Sequence, residues 1–376
     1  MEINHEKLKY ISGPVSVAKL KGKINGIDKD ILLFGDVHKI PNAQTECKDP
    51  NSVTIKQYLN DIFSKSKTKI DFFLEIGKSP EDSKMVEPYT KNYIQQLGIF
   101  FKNKKDKYKN ARFHFSDIRN DFDLFDFVYG ISKQINNFLA NTFFFIDEIN
   151  YILDYLDEVI KYINIVTSGL KNNKFNFERN MNNEYTNSDI YNFYKDVNKI
   201  LFKIKNKKIE ANNRSILKIL LKNLITDINN FKKECSLIKN NLESSLFYSV
   251  KEEIELSSKI KLKFNEISTK LSVFFTTIND LYILRRFLDK DYITNAIVYT
   301  GNNHTANLMN ILVNYFDFRI TNIFSTDSYK LNVDKNYIKN IYKNIFDFNL
   351  NTKHEKNLVI QQCVDISKFK KPLIDF

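Results

Sequence analysis

Between Gly169 and Gly301 the chain contains neither glycine nor proline. No other feature restricts its fold so strongly, because these two residues are the commonest breakers of helices and formers of turns. A stretch of that length without them predicts long helices. Within it Ile216, Ile219, Leu220, Ile225 and Ile228 recur near the helical period. The middle of the chain, 122–290, is therefore expected to be a helical insertion.

The flanks have another character. "VSVAKLKGKINGIDKDILLFGDVH" reads as a strand, an Asn25–Gly26 turn and a second strand running into Gly35. "KIDFFLEIGKSP" reads as a short buried strand, and "ARFHFSDIR" alternates with the two-residue period of a strand. After the helical part, "NAIVYTG", "FDFRITNIF" and "NLVIQQCVDI" supply further strands. The expectation is an α/β fold with one mixed central sheet. Residues 1–121 form its first half, 291–376 its second half, and the long α-helical insertion lies between them.

Composition narrows the class. No uncharged apolar run reaches the roughly 18–20 residues needed to span a bilayer; the nearest, Gln134–Ile146, stops at Asp147. The N-terminal "MEINHEKLKY" has no secretory apolar region. Cys47, Cys235 and Cys363 are odd in number and far apart, so neither a disulfide framework nor a thiolate zinc site is expected. An intracellular, reducing setting follows. The net charge of +12 would suit a nucleic-acid partner, yet only seven of the 57 basic residues are arginine, the residue that reads bases bidentately. The abundance of Lys, Asn, Ile, Phe and Tyr is what an AT-rich genome, such as that of a large virus, writes into any protein.

Two apolar strands end alike. "ILLFGDVH" closes on Gly35, Asp36 and His38, and "AIVYTGNNH" on Gly301, Asn303 and His304. Each precedes a helical pattern, and the carboxyl ends of parallel strands form the crevice where ligands sit. Glu75 closes the strand between them, where a carboxylate beside core needs a partner. Two histidines and a carboxylate, with Asp36 beside them, can hold a divalent metal such as Mn, Co, Zn or Fe. Without a metal, His38, Glu75 and His304 can instead serve as general base, orienting acid and oxyanion partner. A third strand adds His114, Asp117 and Arg119: the arginine suits a carboxylate or phosphate, and Asp117 suits a histidine's second nitrogen. The rival readings are a structural histidine at each strand end and a Glu75 that bonds only the backbone amides of a turn.

The ordered set of Gly35–His38, Glu75, Asp117 with Arg119, and Gly301–His304 resembles the Tiki/TraB superfamily, which includes ChaN-like haem-binding proteins and erythromycin esterases. The resemblance covers about the first 120 residues and 290–325. It implies an α/β fold of two related halves. In the Tiki branch it implies a metal-dependent peptidase using both histidines and the glutamate, and in the esterase branch ester hydrolysis with His38 as general base. These families often carry glutamate where Asp36 stands. "GDVH" and "GNNH" also echo calcineurin-like phosphoesterases, but the GDxxD and GHxH elements of that family are absent. The expected partner is a peptide or ester substrate. The non-enzymatic alternative is a basic nucleic-acid-binding or virion-associated structural protein on a degenerate hydrolase core.

Overall fold

A computed structural model describes residues 3–39, 46–77, 92–118, 146–172, 203–244, 250–342, 361–371 and 373. The chain is mixed α/β and divides into two compact units, one comprising 1–118, 279–337 and 343–376, the other 119–278 and 338–342.

The first unit is built on a six-stranded sheet. Strands β2 (Ser16–Ile24) and β3 (Ile27–Asp36) form the expected hairpin. Asn25 and Gly26 turn it with φ of 53° and 83°, the left-handed pair that a two-residue hairpin requires. With β5 (Ile70–Leu74), β6 (Ala111–Phe115), β7 (Asn295–Gly301) and β8 (Arg319–Ser325), the order is β6-β5-β7-β3-β2-β8. The first four are parallel, while β2 runs antiparallel to both β3 and β8. Strand β7 comes from far along the chain, yet lies between β5 and β3.

Parallel neighbours need crossover connections. Helix α1 (Ile55–Lys65) lies in the chain between β3 and β5, and α2 (Tyr93–Lys102) between β5 and β6. A capping box starts α1: the Thr54 hydroxyl accepts the Gln57 N–H, and the Gln57 side chain accepts the Thr54 N–H. Both helices cover one sheet face, where Tyr58, Ile62, Leu97 and Phe101 pack with Phe34, Phe72, Ile297 and Tyr299. Strand alternation sends Ile31, Leu33 and Val298 to the opposite face. There α6 (Asn302–Phe316) packs against β2, β3 and β7 and buries Leu308, Ile311 and Leu312.

Two expectations need correction. "NLVIQQCVDI" does not join the central sheet. Its described strand, β9 (Cys363–Asp365), pairs antiparallel with β1 (Tyr10–Ser12), which pairs parallel with β4 (Ser52–Thr54) in a separate small sheet. Strand β8 already occupies the far side of β2, and this small sheet instead adds Ile11 and Val364 to the core under α1 and α2. The expected absence of disulfides also fails, because Cys47 and Cys363 are bonded across 316 residues of sequence. Cys363 faces Ser12 in the β1–β9 register, and the Ser12 hydroxyl accepts the Cys47 N–H at 3.0 Å. Linear spacing says nothing about such a pair.

In the second unit the glycine- and proline-free stretch forms α4 (Lys207–Ser244) and most of α5 (Val250–Asp289). Helix α3 (Ile146–Asn172) packs against α4. Phe264 meets Tyr155 and Phe231, and Lys270 bonds Asp227 and Glu266.

The last turns of α5, from residue 279 on, belong to the first unit. Their end is closed by Lys29, which is 1 % exposed and donates to the carbonyls of Phe287, Lys290 and Ile293 at 3.0, 2.9 and 2.5 Å. The Phe287 carbonyl is among the last of the helix, which lack intrahelical partners and carry its partial negative charge, and the three-donor ammonium bonds it together with two carbonyls of the segment that follows. Lys29→Met keeps the apolar stem and removes all three of these bonds. It is expected to lower the stability of the first unit by about 3 kcal/mol, read as a lower urea midpoint; an unchanged midpoint would show that the ammonium contributes little.

Candidate active site

The parallel register aligns three strand ends: Asp36 lies beside Gly301, and Leu74 beside Tyr299. Glu75 follows β5 directly, its N–H donating to the Tyr299 carbonyl at 3.1 Å. Its buried carboxylate accepts the Gly301 N–H on Oε2 at 2.6 Å and meets His304 Nε2 through Oε1 at 3.0 Å. The rival reading of Glu75 is thus half realised, since one oxygen does bond a backbone amide. His304 is the third residue of α6. Its Nδ1 lies 2.6 Å from Asp280 Oδ1, and Asp280 Oδ2 accepts Asn307 Nδ2 at 2.5 Å. The result is a buried chain of Glu75, His304, Asp280 and Asn307.

Burial alone would deprotonate His304, but Asp280 and Glu75 outweigh it and hold its pKa well above the ordinary histidine value. With a carboxylate facing each ring nitrogen the geometry favours the imidazolium, against a burial that also raises the pKa of Asp280.

Gly301 explains the convergence. A Cβ there would lie 2.9 Å from His38 Nε2, 3.5 Å from Glu75 Oε2 and 3.7 Å from His304 Cδ2. Its φ of −57° needs no glycine; the missing side chain is what matters. Gly35 plays a different part. A Cβ there would lie 2.3 Å from Ser16 Oγ and 2.6 Å from Asn302 Oδ1, two atoms that bond at 2.5 Å and fix the start of α6. The two GxxH elements are therefore not one device repeated. His304 stands inside a helix, whereas His38 follows β3 outside any helix, at a φ of 54°. A left-handed conformation costs a non-glycine residue roughly 1–2 kcal/mol.

The His38 side chain is 47 % exposed, with Nδ1 3.7 Å from Asp36 Oδ2. Asp36 is buried, its Oδ1 accepts the Val37 N–H at 2.9 Å, and its Oδ2 has no hydrogen-bond partner among the described residues. Burial pushes its pKa up to about 8, against the opposing N–H groups of Val37, His38 and Ile94. At neutral pH Asp36 is mostly a neutral acid. The hydroxyl of Tyr299, close enough to sense Asp36, is also buried without a partner.

The remaining expected residues separate from this cluster. His114 Nε2 bonds Asp71 Oδ1 at 2.7 Å, its ring packs on Phe73, and Arg112 grips the same carboxylate. Asp117 stands half-buried beyond β6, and the carboxylate on the second nitrogen of His304 is Asp280 instead. Asn303 is half-buried in the first turn of α6, while Asn302 makes the buried contact. Arg119 lies outside the described residues. Asp280 was legible in principle as the only charge between Lys270 and Arg285, since an acid inside so apolar a stretch needs a partner.

The metal that the resemblance implies does not fit this arrangement. Among the described residues no three His, Cys, Asp or Glu side chains are placed to hold one ion. Glu75 has committed both oxygens, and His304 both nitrogens.

A carboxyl whose folded pKa is raised from 3.8 to about 8 favours folding at low pH, and that contribution is lost as pH rises through this window. Asp36→Asn is therefore expected to flatten the decline of melting temperature between pH 5 and 8, its advantage over wild type widening toward pH 8. Parallel curves would show that Asp36 is ionised throughout.

Comparison with known proteins gives kinship without activity. The family described as a family of unknown function (DUF5847) matches residues 9–373. Three relatives from Acanthamoeba polyphaga mimivirus are uncharacterized. Protein R161 is 28 % identical over 96 % of this chain and 97 % of its own length. R160 is 27 % identical over 97 % of each, and R706 is 28 % identical over 83 % of this chain and 86 % of its own. No solved structure matches the chain. Among the described residues no helix is long and apolar enough to cross a membrane.

Proposed function

The chain belongs to DUF5847, a family of unknown function, and from that premise we propose that it is a hydrolase that activates water without a metal and attacks an ester or peptide carbonyl. One observation carries the reading: His38 Nε2 and Glu75 Oε2 converge on Gly301, lying 2.9 and 3.5 Å from the point a Cβ would occupy, so only glycine lets the two groups come together. A water bound beside these two groups would meet an imidazole nitrogen able to take its proton and a carboxylate able to orient it.

The other groups fit supporting parts. Asp36 Oδ2 faces His38 Nδ1 and, in its ionised form, can receive that N–H as the ring becomes charged. The imidazolium of His304, fixed by Glu75 and Asp280, places a preorganised positive charge near the oxyanion that forms on the carbonyl. His38 is the only half-exposed member of this group, which suits the residue that meets substrate. The likeness to erythromycin esterases, with His38 as general base, supports the same assignment.

Hydrolysis of p-nitrophenyl acetate and of a short-peptide panel tests the reading. His38→Ala is expected to lower kcat/KM about 10²–10⁴-fold while the melting temperature stays within a few degrees, and EDTA should change nothing. A His38→Ala protein as fast as wild type would end the proposal. Activity lost on chelation and restored by Mn, Co, Zn or Fe would replace it with the metallopeptidase reading.

A further inference from the structure

We propose that Cys47 and Cys363 form a redox-responsive clasp, whose disulfide holds the base of the candidate site in place and whose reduction by a small thiol releases it. The inference goes beyond the hydrolase reading and does not depend on it. Both cysteines are only partly buried, as attack by an external thiolate requires. The third cysteine does not compete: Cys235 is fully buried, and burial pushes its thiol up to about 12.

The bond lies at the small sheet. Strands β1, β4 and β9 are three residues each, so the small sheet has only short ladders. From each sulfur a short line of contacts leads to the site. On the Cys47 side, the Glu46 carboxylate accepts the Tyr93 hydroxyl at 3.0 Å, and Tyr93 opens α2, whose next residue, Ile94, has its N–H near enough to Asp36 to oppose the rise of that carboxyl's pKa. On the Cys363 side, the Gln362 carbonyl accepts the Gly13 N–H at 2.9 Å, and two residues on Val15 donates to the Gly35 carbonyl at 2.8 Å. Both lines end within three residues of His38.

The chemistry is thiol–disulfide exchange. Two molecules of glutathione supply two electrons and two protons, the sulfur–sulfur bond breaks, Cys47 and Cys363 become thiols, and glutathione disulfide leaves; the reverse reaction closes the clasp. A reducing cell interior favours the open form and an oxidising exterior the closed one.

The test uses the full chain equilibrated in glutathione buffers of graded ratio. Free thiols are counted by alkylation after unfolding, and hydrogen exchange is followed in the oxidised form, the reduced form and Cys47→Ser. The expected thiol count falls from three to one as the buffer becomes oxidising. The reduced form and the variant should exchange at least tenfold faster at residues 35–38 and 93–95 and melt roughly 5–10 °C lower. The proposal is overturned if three thiols stay free in glutathione disulfide, if millimolar glutathione cannot open the bond, or if exchange at 35–38 and 93–95 is the same in both states.

Discussion

The parallel pairing of β3 with β7 is the interaction on which the rest depends. It joins residues from the two flanks of a long helical excursion, and its register sets Asp36 beside Gly301. A shift of one residue would reverse which side chains of β7 face each layer, separating Tyr299 from the core under α1 and Gly301 from His38. Because β5 pairs with the other side of β7, the same strand also delivers Glu75. One ladder thus fixes the fold and brings together groups that lie hundreds of residues apart.

Buried charge shapes what those groups can do. Glu75, His304 and Asp280 are all withdrawn from water, and carboxylates in that position are tolerable only with a cation and hydrogen bonds between them. The imidazolium answers that need and becomes rigid in doing so. His38 has the opposite circumstances: it is half-exposed, left-handed and backed by an acid that burial keeps neutral at neutral pH. A fixed cation and a single reachable base are the two halves that the proposed hydrolytic reading requires.

Much of this was legible in the sequence. Asn25–Gly26 announced its hairpin through backbone conformation, the absence of breakers announced α4 and α5, and His38, Glu75 and His304 stood out as polar residues ending apolar strands. All of these signals are local. What escaped notice was set by pairing at long range: Asp280 meets His304 from another helix, Asp71 claims His114, and Cys47 finds Cys363 through three-residue strands with no pattern of their own. The glycines were informative for a reason their sequence does not state. Neither Gly301 nor Gly35 is needed for its backbone angles; each is an absent side chain that lets other side chains meet.

The central position of β7 also governs when the protein can assemble. Strands β3 and β5 are complete early in translation, yet the place between them stays vacant until Gly301 has been made. At about 5–20 residues per second, the roughly 227 residues from Leu74 to Gly301 take about 11–45 s to synthesise. Throughout that interval two apolar strand edges wait without their shared neighbour. Until β7 arrives, a nascent chain of this kind exposes both edges to mispairing, for a time that grows with the length of the helical excursion.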